Sequence, residues 1–228
     1  MTSTRVATTY TDSDAAAAYW AYQRQIGIVG GALSRWKYLP HVNEDDVVLD
    51  FGCGGGYLLA GLPGRMKLGV EPNPYARAEA SRQGIYTYPS AAEVESYCVD
   101  VVISDHTFEH TLSPLDELRE LWRALRPGGR LVVCVPAVDW RAKRQRDLRR
   151  EDPSHEFFTW TPRLYHNLLS EAGFQPQRVE LLTHAWHPRL SPRLTWLPRV
   201  LYDAHAWVLA AALRRREVYA VASRPNGD

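Results

Sequence analysis

What this chain has little of narrows its class before any motif is read. Its 27 lysines and arginines stand against 26 acids, a net charge of +1 over 228 residues. No whole-molecule field draws in a polyanion, any basic patch must be local, and the expectation is no nucleic-acid partner. No apolar run reaches the roughly 18 residues that cross a bilayer, and no apolar leader opens the sequence. The chain therefore reads as soluble and cytoplasmic, or at most peripheral at a membrane. Three cysteines, Cys53, Cys98 and Cys134, are scattered in or beside expected strands with no Cys-x-x-Cys spacing. That excludes a disulfide framework and a zinc site and leaves small, buried, reduced thiols. The length suffices for one sizeable α/β core and a small appendage, not for two full domains.

One further absence separates two ligand classes. Val47, Val48, Leu49, Asp50 and Phe51 lead into Gly52, Cys53, Gly54, Gly55, Gly56 and Tyr57. An apolar run that ends in an acid and breaks into glycines is a buried parallel strand turning tightly into a helix. Glycines let the backbone come close to a ligand, and the helix behind points unpaired N–H groups at it. A dinucleotide fingerprint counted from Gly52 and Gly54 needs a third glycine where Tyr57 stands. That disfavours a nicotinamide-dependent oxidoreductase.

The order Asp-x-Gly-x-Gly instead resembles motif I of class I S-adenosylmethionine (SAM)-dependent methyltransferases. Three segments follow it in the family's order: Lys67 to Glu71, a strand ending in an acid; Asp100 to His110, a strand with an acidic tail; and Leu125 to Pro136, a helix end, a Pro-Gly-Gly turn and a strand. Together they resemble the small-molecule branch of that family, over residues 45–175. The resemblance implies a Rossmann-like α/β fold with a seven-stranded, mostly parallel sheet, one antiparallel edge strand and helices on both faces. Alternating patterns place strands at 47–51, 67–71, 85–88, 99–104, 130–135, 176–183 and 217–223. Helices are expected at 56–61, 74–83, 91–96, 114–125, 162–172 and 197–213. A single domain 1–228 then divides into an N-terminal helical cap (1–44), a core (45–183), a helical insertion (184–216) and a last strand with its tail (217–228).

Carried over by position, the resemblance implies SAM as cofactor and S-adenosylhomocysteine as product. Gly52 and Gly54, with the Cys53 backbone, meet the methionine part; Asp50 orients that loop or the amino group. Glu71 binds the ribose, with Pro72 beside it, while Asp105 and His106 border the methyl end and Phe108 lies near the substrate. The acid that commonly reaches the adenine amino group after the third strand is replaced by Ser90, Ala91 and Ala92. Ser90 or backbone groups are left to read that edge.

Methyl transfer is an in-line displacement, so positioning matters most, and a hydroxyl acceptor must also lose a proton. Four residues can take it: His106, Glu109, His110 and His155. His106 at the strand end and His155 in the following loop are preferred, while the Glu109–His110 pair resembles one with a structural or cofactor-side role. His106 and His110 are four apart, which makes a metal-ligand face only on a helix; no metal is expected. Residues 137–162 form a long connection with six basic side chains between Arg141 and Arg150. It is either a solvated face or a lid whose Arg144 meets an anionic acceptor.

Asp14 caps an expected helical segment from Ala15 to Leu39, broken near Gly27 or Gly30 and Gly31. Tyr10 and Tyr19 from this region are candidate substrate contacts. In the insertion, Leu197, Val200, Leu201, Ala204, Trp207 and Val208 share a helix face, for packing, for a dimer partner or for membrane contact through 196–216. The expected reaction is O-methylation of a small polar acceptor: a sugar, a glycan-linked or lipid-linked molecule, or a secondary metabolite. Methylation at N or C of an amino sugar or quinone, and a non-catalytic SAM-binding scaffold, are the alternatives. A monomer or homodimer is expected.

Overall fold

The computed structural model describes residues 8–137, 155–187 and 190–226. The basic segment with Arg144 lies outside them. Seven strands form one sheet: β1 (Val47–Phe51), β2 (Met66–Val70), β3 (Tyr86–Tyr88), β4 (Val99–Asp105), β5 (Leu125–Pro136), β6 (Gln175–Leu182) and β7 (Glu217–Ser223). Their spatial order is β3-β2-β1-β4-β5-β7-β6, with β7 antiparallel to both of its neighbours. All the other pairs are parallel. This is the expected fold.

Alternation along each strand sends side chains into two apolar layers. Leu49 and Phe51 face α5 (Pro114–Ala124) and α6 (Pro162–Glu171), which contribute Leu118, Leu121, Tyr165 and Leu169. Val48 faces the other way, toward Leu58 and Leu59 of α3 (Tyr57–Ala60) and Ala80 of α4 (Pro74–Arg82). Leu118 and Leu121 are wholly buried, and truncating either to alanine costs roughly 2–5 kcal/mol. Reversal of the strand order at β1 and β4 opens a crevice at their carboxyl ends, the usual ligand position in open α/β sheets.

A short helix α1 (Thr8–Thr11) precedes α2 (Ser13–Ser34), which runs across α3 and α4. Asp12, not Asp14, is the cap, its carboxylate accepting the Ala15 N–H. The expected break at the glycines is absent. A Cβ at Gly31 would lie 2.7 Å from the Leu58 nitrogen, and one at Gly30 would lie 2.9 Å from the Trp186 ring. These glycines let neighbours press against an unbroken helix. The helix expected at 91–96 is only a turn, Ala91–Glu93, capped by Ser90.

Between β6 and β7 the chain leaves and re-enters the sheet at the edge where β1 to β5 end, as β6 runs parallel to them. This insertion carries α7 (Arg199–Leu213). Its inward stripe is Tyr202, Ala206 and Ala210, packed on Leu33 and Val29 of α2. The expected apolar face is instead exposed, with Val200, Leu201, Trp207 and Val208 turned out. Ala206 and Ala210 permit the close approach, and Tyr202 fills the wider end of the seam. Among the described residues no helix is long and apolar enough to cross a membrane.

Candidate active site

The glycine turn after β1 is built by conformation and crowding. Gly52 has φ +79°, and a Cβ there would sit 2.1 Å from the Thr107 hydroxyl oxygen, so only glycine lets the β4 tail close against the turn. Gly54 has φ +52° with open space where its Cβ would be. The expected row of free N–H groups is not what the turn offers. Those of Gly52 and Cys53 go to the Val70 carbonyl, at 2.8 and 3.1 Å, and that of Gly54 to Glu71 Oε2 at 3.0 Å. The turn meets a ligand with bare Cα atoms, which suits a nucleoside carrying no phosphate.

Glu71 is fixed at both oxygens, Oε1 accepting the Asn73 N–H at 2.8 Å, and each oxygen keeps a lone pair for a hydroxyl. Burial pushes its carboxyl up to about 6. Asp50 is buried, and burial, with the charges of Asp105 and Glu71, pushes it well above the usual carboxylate range. Neither acid has an ion-pair partner among the described residues. A ligand bringing a sulfonium and an ammonium supplies the missing positive charge, so these residues fit SAM. Cys53 is buried and its thiol is pushed up by burial, leaving only its backbone at the turn.

The cleft beside the turn holds about 520 Å³ of space, part of it open to solvent, between Phe51, Gly52, Val70, Pro72, Pro89 and Ser90 on one side and Thr107, His110, Leu112 and Glu117 on the other. Gly52, Pro72 and Ser90 thus share one cleft. Asp105 and His106 do not line it. Asp105 accepts from Lys37 Nζ at 3.2 Å and from the Tyr38 hydroxyl at 2.8 Å.

His106 has φ +58° and points inward. Its Nδ1 lies 3.2 Å from Glu109 and its Nε2 2.9 Å from Glu217, the first residue of β7. Burial alone would lower its pKa, but Cys134, Glu109 and Glu217 outweigh burial and hold it well above the usual value. An imidazole with both nitrogens donating to carboxylates is already protonated, and in this geometry it cannot act as the base preferred from sequence. Lys37 completes the group: its buried ammonium lies 2.9 Å from Glu217 and 3.2 Å from the Cys134 sulfur. It fills the place a cation would take between Asp105 and Cys134. Phe108, expected near substrate, is wholly buried against Phe51 and Tyr165 and touches only core.

At the cleft mouth a different set converges. The Tyr10 hydroxyl lies 3.1 Å from His110 Nδ1 and donates to the His155 carbonyl at 3.3 Å. The Tyr10 and Tyr19 rings meet edge to face at 4.8 Å. The strap at 155–158 is tied down by the Phe157 N–H, which donates to the Glu109 carbonyl at 2.7 Å. Tyr10, Tyr19 and His155 are therefore brought together, with His110 and not His106 as the histidine facing the cleft. Sequence reasoning passed over Lys37, Glu217 and Thr107. The helical cap around Lys37 and the acid opening β7 carry no spacing signal, because 180 residues separate them.

A parallel sheet with its switch point at β1 and β4, a bare glycine turn and an acid ending β2 define a class I SAM-dependent methyltransferase fold. The chain belongs to the methyltransferase-domain family, which it matches over residues 20–179. A methyltransferase of Haloferax volcanii, solved in complex with the Trm112 methyltransferase activator, superposes with a TM-score of 0.65 at 20% identity, covering 91% of this chain and 96% of that one. A SAM-dependent methyltransferase of Thermotoga maritima gives 0.61 at 19% identity, over 90% and 94%. In sequence the chain is 32% identical over 123 residues to the tRNA U34 carboxymethyltransferase of Cellvibrio japonicus, 44% of this chain and 37% of that protein. The chain thus spans less than half the length of that relative.

These relatives correct two expectations. Their name places their acceptor in tRNA, against the small polar acceptor and against the exclusion of nucleic acid drawn from net charge. Net charge is a sum over the whole chain and does not describe any one face of it. They lend no support to membrane contact through 196–216.

Proposed function

We propose that this chain is a SAM-dependent methyltransferase whose acceptor is an RNA base. The observation that carries the reading is its similarity, at 30–34% identity, to proteins named for modification of tRNA U34. SAM supplies a methyl group already activated on a sulfonium. Glu71 holds the ribose hydroxyls, and Asp50 orients the turn against the methionine amino group. Gly52 and Thr107 fix the depth at which the methyl carbon is presented. His110, steadied by the Tyr10 hydroxyl, is the cleft-facing group able to take a proton from the acceptor as the methyl group arrives. His155 contributes its carbonyl to that arrangement, and Tyr19, half-buried and braced by the Tyr10 ring, is the aromatic on which a base can stack.

The test is transfer of label from methyl-labelled SAM to unmodified bulk tRNA, in parallel with a panel of hydroxylated sugars and metabolites. Label expected in the RNA should become soluble on nuclease digestion, and the mass of the modified nucleoside identifies the transferred group. Label confined to the small molecules overturns the reading.

A further inference from the structure

The cleft has an unassigned acid at the end far from the glycine turn. Pro89, Ser90 and Ala91, just after β3, line it without a carboxylate, and Ser90 Oγ is engaged by the Ala92 N–H at 3.2 Å. Glu117, in the first turn of α5, lines the same cleft. Helix α5 is pinned to that segment: Arg123 donates to the carbonyls of Ala91 and Ala92, at 3.3 and 3.2 Å, and Leu118 and Leu121 share a core with Ala91 and Val94. The rest of the cleft that Glu117 lines is largely apolar, with Val70, Pro72, Pro89, Ala91 and Leu112 in its wall beside the polar Thr107, His110 and Thr111. That is a slot for a flat base with one acid at its rim.

The ordinary role of such an acid is to favour the helix N-terminus. The neighbouring acids already have partners, Asp116 with Arg119 at 3.8 Å and Glu120 with Arg123 at 2.8 Å. The Glu117 side chain has neither a hydrogen bond nor an ion pair among the described residues. It is also not freely solvated, since burial, with the charges of Glu120 and Asp116, pushes its carboxyl up to about 7. A surface helix gains nothing from a desolvated, unpartnered acid, whereas a ligand donor would complete it.

We propose that Glu117 reads the 6-amino edge of the cofactor's adenine, taking over from α5 the task that the segment after β3 is not equipped for. The inference rests on SAM being the cofactor. A carboxyl oxygen accepts from the exocyclic amine, and a protonated carboxyl also donates to the ring nitrogen beside it. Hypoxanthine carries an oxo group where adenine carries the amine, and an ionised Glu117, which can only accept, faces that oxygen without a donor.

Calorimetric titration of wild type, Glu117→Ala and Glu117→Gln with S-adenosylhomocysteine and with S-inosylhomocysteine, at a pH above the value of about 7 to which the carboxyl is pushed, tests this. Wild type should prefer the adenine compound by about tenfold or more. Glu117→Ala should lose most of that preference through weaker binding of the adenine compound, and Glu117→Gln, whose amide can turn to pair with either base, should lose it by binding the inosine compound as tightly as the adenine one. An unchanged preference in a Glu117→Ala protein that melts like wild type overturns the inference and leaves the cofactor standing. Failure of wild type to bind either compound overturns both.

Discussion

Lys37 sits buried among Asp105, Cys134 and Glu217, and it decides which carboxylates keep their charge. Burial alone would lower its pKa; Asp105, Cys134 and Glu217 outweigh burial and hold it well above the usual value. Lys37, followed by His106, in turn holds Glu217 well below the carboxylate range although burial pushes it up. Replacing Lys37 by methionine removes one partner and leaves buried acids without a counter-charge. That should lower stability at neutral pH by about 3–5 kcal/mol, read as the shift in a urea unfolding midpoint. An unchanged midpoint would mean that Asp105 and Glu217 are not carrying charge. At this scale the sequence was legible wherever a residue's position is set by a neighbouring strand end. Gly52, Glu71 and Ser90 could be located from the glycine turn and from strand ends alone. The inward turn of His106 could not, because it depends on Glu217, which lies 111 residues along the chain.

The attachment of the helical insertion should weaken in acid. His184 joins it to the body, its ring 4.8 Å from that of Trp36 and its Nε2 4.0 Å from Asp203. Burial first, and then the charge of Lys37, lower its pKa to about 4, with Arg199 adding to that and Glu217 and Asp203 opposing it. A histidine depressed below its unfolded value stabilises the fold fully above pH 6.5 and loses that contribution as pH falls toward 4. The loss at the acid end is on the order of 3 kcal/mol. Melting temperature and tryptophan emission should therefore fall together across that window, and His184→Gln should flatten both; the same slope in the variant would assign the transition elsewhere. Elements of the core were legible because strand and helix periods alternate there. The seam of α7 was not, since residue size, more than hydrophobicity, decides which stripe can approach α2.

For the molecule as a whole, the cleft joins the carboxyl ends of the sheet strands to α5, so a ligand occupying it should stabilise both as one. S-adenosylhomocysteine at a hundredfold excess over its Kd should add about 2.7 kcal/mol, a rise of roughly 5–10 °C in melting temperature. A chain of normal stability whose melting temperature does not move with added ligand would not use this cofactor. The fold could be read in advance because glycine turns and acid-ended strands are local. The acceptor could not, because net charge averages over every face.

The antiparallel strand carries a further consequence. β7 is the last strand to be made, yet it lies inside the sheet, hydrogen-bonded to β5 on one side and β6 on the other. Until residues 217–223 leave the ribosome, β5 ends in an open edge, β6 has no neighbour and Lys37 lacks its closest acid. Synthesis from the amino end can therefore prepare the nucleoside half of this molecule early, but the sheet closes only after translation has passed Ser223. A nascent chain stalled before Glu217 would expose the β5 edge to any passing strand.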